Sequence, residues 1–258
     1  MILGIGDAIM DAGAARVAQL TDPRKCRIMH GSKVAWSEVW ENNPRIARPD
    51  EQGDFQIIYG RDRVTNMRGY HTGKTAERWT YNLDFRPQVG EIYLTDDEKA
   101  FGAKYSGRII LEPHIKPGAS PNKRWPWVSW NKLVWLAGPN YPFAQMGPPG
   151  TAQIAGVEFI PTPSFRMAAA VIAGARAVVL PEGGCHHVAA ALEVPGVIIF
   201  GSFTPIELTG YPMHRNLGAS LDQACGMRTP CKHCADWMAS IKPETVLNEL
   251  KGILNASR

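Results

Sequence analysis

The sequence predicts an α/β protein whose parallel sheets are covered on both faces and arranged as two units. Three observations carry this. Apolar runs that read as strands alternate with segments of helical period. Those runs are apolar throughout rather than alternating, as strands buried on both faces must be. The alternating series also starts twice, with a change of tone near Tyr105. We therefore expect a reduced unit over residues 1–104 and a second unit over residues 105–258, each a Rossmann-like layer.

The elements follow in order. Met1 to Ile5 reads as a very short strand, ending in the turn Gly4-Ile5-Gly6-Asp7, with a helix from Ala8 to about Leu20. Cys26–Gly31 and Phe55–Gly60 read as strands. Lys33–Asn43 reads as a helix, because Trp36 and Trp40 fall one turn apart. Residues 61–90 are polar, basic and aromatic with weak periodicity, and read as loops and short helices. Beyond Tyr105, Arg108–Ile115 is a buried strand, and Trp127–Gly138 is a helix stopped by Gly138 and Pro139. The runs VEFIPT, AVVLP and GVIIFG are further strands. SFRMAAAVIAGA is apolar nearly all round and so a buried helix. A helix follows His187, and Lys242–Leu254 is an amphipathic terminal helix with Pro243 in its first turn.

The 258 residues are 45% hydrophobic and 20% charged, which suits a globular protein with a sizeable core. The net charge of +4 is mild, and residues 1–104 balance, so the excess lies in 105–258. That suits an anionic small ligand and is too weak to require a nucleic acid. No apolar run approaches the roughly 20 residues of a membrane span. The start MILGIGDAIMDAG has no basic leader region and carries Asp7 and Asp11, so a cytoplasmic location is expected. Five cysteines, an odd number, argue against a disulfide scaffold.

Ligands of parallel α/β sheets bind beyond the carboxyl ends of the strands. Two glycine-rich turns fall there. Glu182-Gly183-Gly184 sits where a helix begins, with unpaired amides and the positive end of the helix dipole. It can cradle a phosphate, with Glu182 accepting from sugar hydroxyls and His187 contacting a diphosphate or the donor sugar. It also fits a plain strand–turn–helix with two half-buried histidines. At Gly4-Ile5-Gly6-Asp7, Asp7 is either a general base over the cleft or a helix cap. In GASPNKRWP, Ser120 and Lys123 form either a clamp for a leaving diphosphate or a solvated basic loop, and Trp125 packs in the core. Cys225, Cys231 and Cys234 have zinc-like spacing, but His233 beside Cys234 makes an awkward pair of ligands, with His214 as a substitute. Packed free thiols are the preferred reading, with no metal, and Cys26 and Cys185 read as small buried residues.

Together these stretches resemble glycosyltransferase family 9, the family of the lipopolysaccharide heptosyltransferases. GIGDAIM is similar to the family's N-terminal Gly-x-Gly-Asp turn, and PHIKPGASPNKRWP to its Gly-Ala-Ser…Lys-x-Trp-Pro loop. RMAAAVIAGARAVVLPEGGCHHVAAALEVPGVIIFG is similar to its Asp-Ser-Gly-x-x-His…Phe-Gly block, and ADWMASIKPETVLNEL to its C-terminal helix. The resemblance runs from about residue 108 to the end and is faint over residues 8–107.

The resemblance implies a GT-B fold: two Rossmann-like domains with parallel sheets facing a central cleft, acceptor side first and nucleotide-sugar side second. It implies an inverting transfer from a nucleoside-diphosphate sugar to an acceptor hydroxyl, with no cofactor or metal required. Asp7 matches the family's general base. Lys123 matches the lysine on donor phosphate, and Ser120, Gly184, His187 and Gly201 match donor-side positions. Glu182 stands where the family has Asp, Gly183 replaces a hydroxyl residue, and Thr204 stands where an acid is expected. An ADP-heptose-like donor and a glycan acceptor are thereby implied, with the acceptor-side residues and the oligomeric state left unassigned. The alternatives are a transferase acting on a hydroxylated base in DNA, a nucleotide-sugar-binding protein without activity, and an epimerase on the same scaffold. For the DNA acceptor, Tyr70 and Trp79 in the basic segment Arg61–Trp79 would stack on bases; a solvated loop is the preferred reading of that segment.

Overall fold

The computed structural model describes residues 4–256. Helix α1 (Ile5–Ala18) is followed by strands β1 (Cys26–His30), β2 (Lys33–Val34) and β3 (Gln56–Arg61). β1 pairs in parallel with β3 and antiparallel with β2, in the order β2-β1-β3. The hairpin β4 (His71–Lys74) and β5 (Trp79–Tyr81) comes next, then α2 (Asp96–Ala103). β6 (Ile109–Leu111), α3 (Trp127–Ala137), β7 (Phe143–Gly147), β8 (Glu158–Pro161), α4 (Phe165–Gly174), β9 (Ala177–Pro181), α5 (Gly184–Ala191), β10 (Gly196–Gly201), the single turn α6 (Ile206–Thr209), β11 (Arg215–Gly218), α7 (Lys232–Ser240) and α8 (Pro243–Ala256) complete the chain.

Six of these strands form one all-parallel sheet in the order β11-β10-β9-β6-β7-β8. Successive side chains point to opposite faces, and both faces are filled. Ile110, Val178, Leu180, Ile198 and Phe200 lie under α4 and α5. Ile109, Leu111, Val179, Val197 and Ile199 lie under α3 and α8. The apolar runs of the sequence are therefore strands buried on both sides, as expected.

The N-terminal half does not form a core of its own among the described residues. Ala8, Ile9, Ala12 and Trp40 belong to the same cluster as Ile110, Val178 and the inner faces of α4 and α5. α1 packs directly on α5, and Gly6 leaves room for the His187 ring, which a Cβ would meet at 2.6 Å. α2 crosses α4 so closely that a Cβ on Gly102 would fall 1.9 Å from the Ala170 carbonyl oxygen. Arg166 of α4 makes a two-point ion pair with Glu98, at 2.5 and 2.6 Å, and also donates to the carbonyls of Glu38 and Tyr93. The α4 helix is thus not apolar all round; its one charged residue ties the halves together.

Three local expectations are corrected. Residues 1–3 of the expected first strand lie outside the described residues, and Ile5 is already helical. Lys33–Asn43 is not a helix. Val34 pairs back on Met29, a single 3-10 turn follows at Glu38–Trp40, and Asn42 takes a left-handed φ of 63°. Trp36 and Trp40 still meet edge to face at 5.9 Å, so the spacing that suggested a helix is satisfied by a strand and a turn. Trp40 Nε1 donates to the Ala8 carbonyl at 2.6 Å and locks this segment to α1. Finally, the solvated loop expected over Arg61–Trp79, within the loops and short helices expected over residues 61–90, is in part a docked hairpin: Trp79 N donates to Gly226 O at 3.0 Å and Arg228 N to Glu77 O at 2.7 Å.

Candidate active site

The N-termini of α1 and α5 meet beside the carboxyl ends of β3, β6 and β9. Here the chain gathers Asp7, Glu182 and four cations: Arg61 at the end of β3, Arg68, and Lys116 and Lys123 from the loop after β6. Asp7 is not a helix cap. Gly4 is the N-cap residue of α1, no side chain caps the helix, and Asp7 lies in its first turn. Its Oδ2 accepts from Arg68 Nε at 2.6 Å, with Arg61 at 3.5 Å, and its Oδ1 accepts from the Tyr70 hydroxyl at 2.9 Å. Gly4 and Gly6 supply space here rather than a sharp bend: a Cβ on Gly4 would fall 2.6 Å from Asp7 Oδ2. A carboxylate offers about four lone-pair directions, so capacity to accept a proton remains.

Across from Asp7, Lys123 Nζ forms an ion pair with Glu182 Oε2, and the Thr209 hydroxyl donates to Glu182 Oε1 at 3.4 Å. Burial works to raise the Glu182 pKa, but Lys123 and the neighbouring His186 and Arg68 outweigh it and hold the carboxyl below its usual range. The Lys116 ammonium is pushed down, first by burial and then by Arg68, Lys123 and Arg61, with Asp7 opposing. Four cations against Asp7, Glu182 and the neighbouring Asp11, which also meets His30, still leave a surplus of positive charge at two helix N-termini. Such a place favours an anion.

The two histidines have different tasks. Gly183 N donates to His186 Nδ1 at 2.9 Å, so His186 is neutral with its proton on Nε2, which donates to Thr209 O at 2.8 Å. Both ring nitrogens are used, and His186 braces the turn. His187 Nδ1 meets the Tyr211 hydroxyl at 2.7 Å, while its Nε2 edge faces Gly6. Burial, then His186 and Lys123, drive its pKa well below 6.5 and keep it neutral. Gly183 is extended, with open space where a Cβ would be, so a ligand can approach the turn even though the Gly183 N–H is taken by His186. Gly184 lies against Phe165 and Ile5.

Asp7, Lys123, Glu182, Gly183, Gly184 and His187 are thus brought together. Ser120 and Gly201 are occupied elsewhere. Ser120 accepts from Asn122 N and donates to Met227 O, both at 3.4 Å. Gly201 takes a left-handed φ of 63°, and a Cβ there would fall 2.7 Å from Met238 Cε, so it closes β10 over α7. Sequence reasoning missed Arg61, Arg68 and Lys116, and considered Tyr70 only for stacking on bases, whereas its hydroxyl donates to Asp7. The carboxyl-end rule that singled out Glu182 applies equally to Arg61, which follows Gly60 at the end of β3. Trp79 is stacked on His71 at 4.1 Å, with Lys74 and Arg228 over its ring. Tyr70 is spent on Asp7. Neither aromatic is free to stack on a base.

The cysteine expectation changes too. His214 is far from a ligand role: it is buried, contacts Val194 O through Nε2 and meets Tyr211 edge-on. His233, judged an awkward neighbour of Cys234, converges with it on Cys225, all three donor atoms lying within 4.8 Å of one another.

Residues 149–254 match the family described as glycosyltransferase family 9 (heptosyltransferase). That match covers less than half of the chain. The chain is 28% identical over 234 residues to lipopolysaccharide heptosyltransferase 1 of Salmonella typhimurium, covering 84% of the chain and 68% of that protein. It superposes on a family 9 glycosyl transferase from Veillonella parvula with a TM-score of 0.67 at 14% identity, covering 99% of the chain and 96% of that structure. With the ADP-heptose heptosyltransferase II of E. coli the TM-score is 0.50 at 20% identity, over 66% of the chain and 55% of that structure. The chain therefore spans about two thirds of the curated relative and little more than half of heptosyltransferase II. These structural likenesses establish the GT-B fold. No helix among the described residues is long and apolar enough to cross a membrane.

Proposed function

We propose that the protein transfers a sugar from a nucleoside-diphosphate donor to an acceptor hydroxyl in one inverting displacement. The observation that carries this reading is the convergence of Asp7 with a surplus of cations at two helix N-termini. In the proposed step the acceptor oxygen bonds to the anomeric carbon while the bond from that carbon to the diphosphate oxygen breaks. The acceptor's proton passes to Asp7, and the bonding pair leaves with the diphosphate. The sugar carries oxocarbenium character in the transition state.

Charge then develops on the leaving phosphate, and groups already aimed at it act without reorganising. Lys123 is that group in our reading, held in place by Glu182, so Glu182 acts as a positioning residue rather than as a partner of sugar hydroxyls. The turn at Gly183 leaves space for a ligand, and His187 offers Nε2–H when Tyr211 donates to Nδ1. Arg61, Arg68 and Tyr70 orient the Asp7 carboxyl group. Residues 105–258 would be the donor side and residues 1–104, with Asp7, the acceptor side. The names of the relatives favour an ADP-heptose-like donor and a glycan acceptor.

Calorimetric titration with ADP, UDP and GDP tests this, together with a transfer assay using the preferred donor sugar. ADP should bind best. Lys123→Ala should weaken diphosphate binding and slow turnover roughly a hundredfold with the fold intact. No binding of any nucleoside diphosphate, or an unaffected Lys123→Ala variant, would overturn the proposal.

A further inference from the structure

The loop between β11 and α7 carries Cys225 and Cys231, and the first turn of α7 carries His233 and Cys234, outside the site just described. The sulfur atoms of Cys225 and Cys231 lie 3.8 Å apart, and those of Cys225 and Cys234 3.2 Å. None of these thiols forms a disulfide. A tetrahedral thiolate site with metal–sulfur bonds near 2.3 Å has sulfur–sulfur edges of roughly 3.8 Å, so Cys225 already stands at close to ligand spacing from both Cys231 and Cys234. A ring nitrogen of His233 lies within 4.8 Å of the Cys225 and Cys234 sulfurs. We infer that Cys225, Cys231, Cys234 and His233 bind one thiolate-preferring divalent ion, zinc or iron, in a structural four-coordinate site.

The surroundings suit thiolates. Cys231 is the N-cap residue of α7 and Cys234 sits in its first turn, at the positive end of the helix dipole. Met227 N points at Cys225 Sγ at 3.5 Å, as amides do around metal-bound sulfur. His233 Nδ1 meets the buried Ser202 hydroxyl at 3.2 Å, which orients the ring. Asn122 pins the loop, donating to Met227 O at 2.7 Å and Thr229 O at 2.8 Å and accepting from Cys231 N at 3.1 Å. Cys231 and Cys234 open onto a cleft bounded by Asn122, Arg124, Pro230 and Met238, which gives an ion a path in. Small soft ligands in such a set select zinc or iron over magnesium or calcium.

The ion would fasten a strap. The same loop receives Trp79 N at Gly226 O and returns Arg228 N to Glu77 O, so it holds the β4–β5 hairpin that continues from Arg68 and Tyr70. A metal at its root would fix the hairpin's seat without touching the reacting atoms.

Elemental analysis of protein reconstituted anaerobically under reducing conditions tests the inference. About one zinc or iron per chain is expected, the analysis naming which, with the content falling below about a tenth in Cys225→Ser and Cys231→Ser. Because those variants can misfold, the wild-type protein loaded with cobalt supplies a second arm: it should show the visible bands of tetrahedral thiolate ligation. Chelation should raise amide exchange at Trp79 and Arg228. Wild-type protein that takes up no metal and leaves all three thiols open to titration in the folded state would overturn the site. So would a Cys225–Cys234 disulfide in the native protein.

Discussion

The two halves of the chain are held by different physics. In the C-terminal half every residue of β7, β9 and β10 is buried. Stabilisation there is spread over many aliphatic contacts, and no single side chain is decisive. In the N-terminal half β1 mixes buried and partly exposed positions, β3 mixes partly exposed and exposed ones, and β2 is exposed. That half is fixed by a few directed contacts: Trp40 on the Ala8 carbonyl, Arg166 on Glu98, and Arg61, Arg68 and Tyr70 on Asp7. The contrast teaches that the region richest in site chemistry is also the one with least apolar area to spare. Its polar contacts must position the site and hold the chain at once.

A substitution in each half sharpens this comparison. Arg166→Ala removes one partner of a pair largely withdrawn from water and leaves Glu98 and two carbonyls without their donor. The expected cost is about 3 kcal/mol, the low end for such a loss, read as a drop in the urea midpoint and as early proteolysis within residues 1–104. Ile198→Val, in the middle of the large sheet, should cost only about 1 kcal/mol. Equal costs would break the comparison.

A smaller effect concerns pH. Burial, helped by nearby cations, drives His71 down to about 3, and burial drives His214 down to about 4. His186 and His187 are lowered as well, again chiefly by burial. Each folded pKa lies below the ordinary 6.5, so the unfolded chain takes up protons first. The stability these groups provide is complete above about pH 6.5 and is lost as pH falls toward 4. Glu112 runs the other way: burial pushes it up to about 8, against the opposing His114 amide, so stability is lost as pH rises from about 4.5 through 8. The melting temperature should therefore peak between the two limbs. His214→Gln should flatten the acid limb and Glu112→Gln the alkaline one; a profile unchanged in both variants would count against these assignments.

The same contrast explains what the sequence made legible. The strands β6, β9 and β10 and the helices α3, α4, α5 and α8 announce themselves because unbroken apolar runs and wide apolar faces need no partner to be recognised. Lys123, Glu182 and His187 were legible for the same reason, since they follow such runs at fixed places. β2, the hairpin β4–β5 and α2 were not. Their strands have two to four residues, and their order comes from distant partners: Val34 from Met29, Trp79 from Gly226, Gly102 from Ala170. Arg68 and Tyr70 lie more than sixty positions from Asp7, a separation that no local pattern spans. The cysteine loop failed in another way, because adjacency in sequence hid that His233 and Cys234 can turn toward one point at the first turn of a helix.

The central claim is that Asp7 takes the acceptor's proton while the donor is held by other groups. Asp7→Asn keeps the shape and removes the charge. Arg61 and Arg68 then lose their anion, so nucleoside-diphosphate affinity should stay level or tighten, not weaken. Turnover at saturating donor should fall by about a hundredfold to ten-thousandfold, as expected for loss of a general base. A melting curve run alongside separates this from loss of fold, since the freed arginines will lower stability somewhat. Transfer slowed that far with undiminished diphosphate affinity is the result this account predicts. Near wild-type turnover, or a loss of donor affinity that accounts for the whole effect, would contradict it.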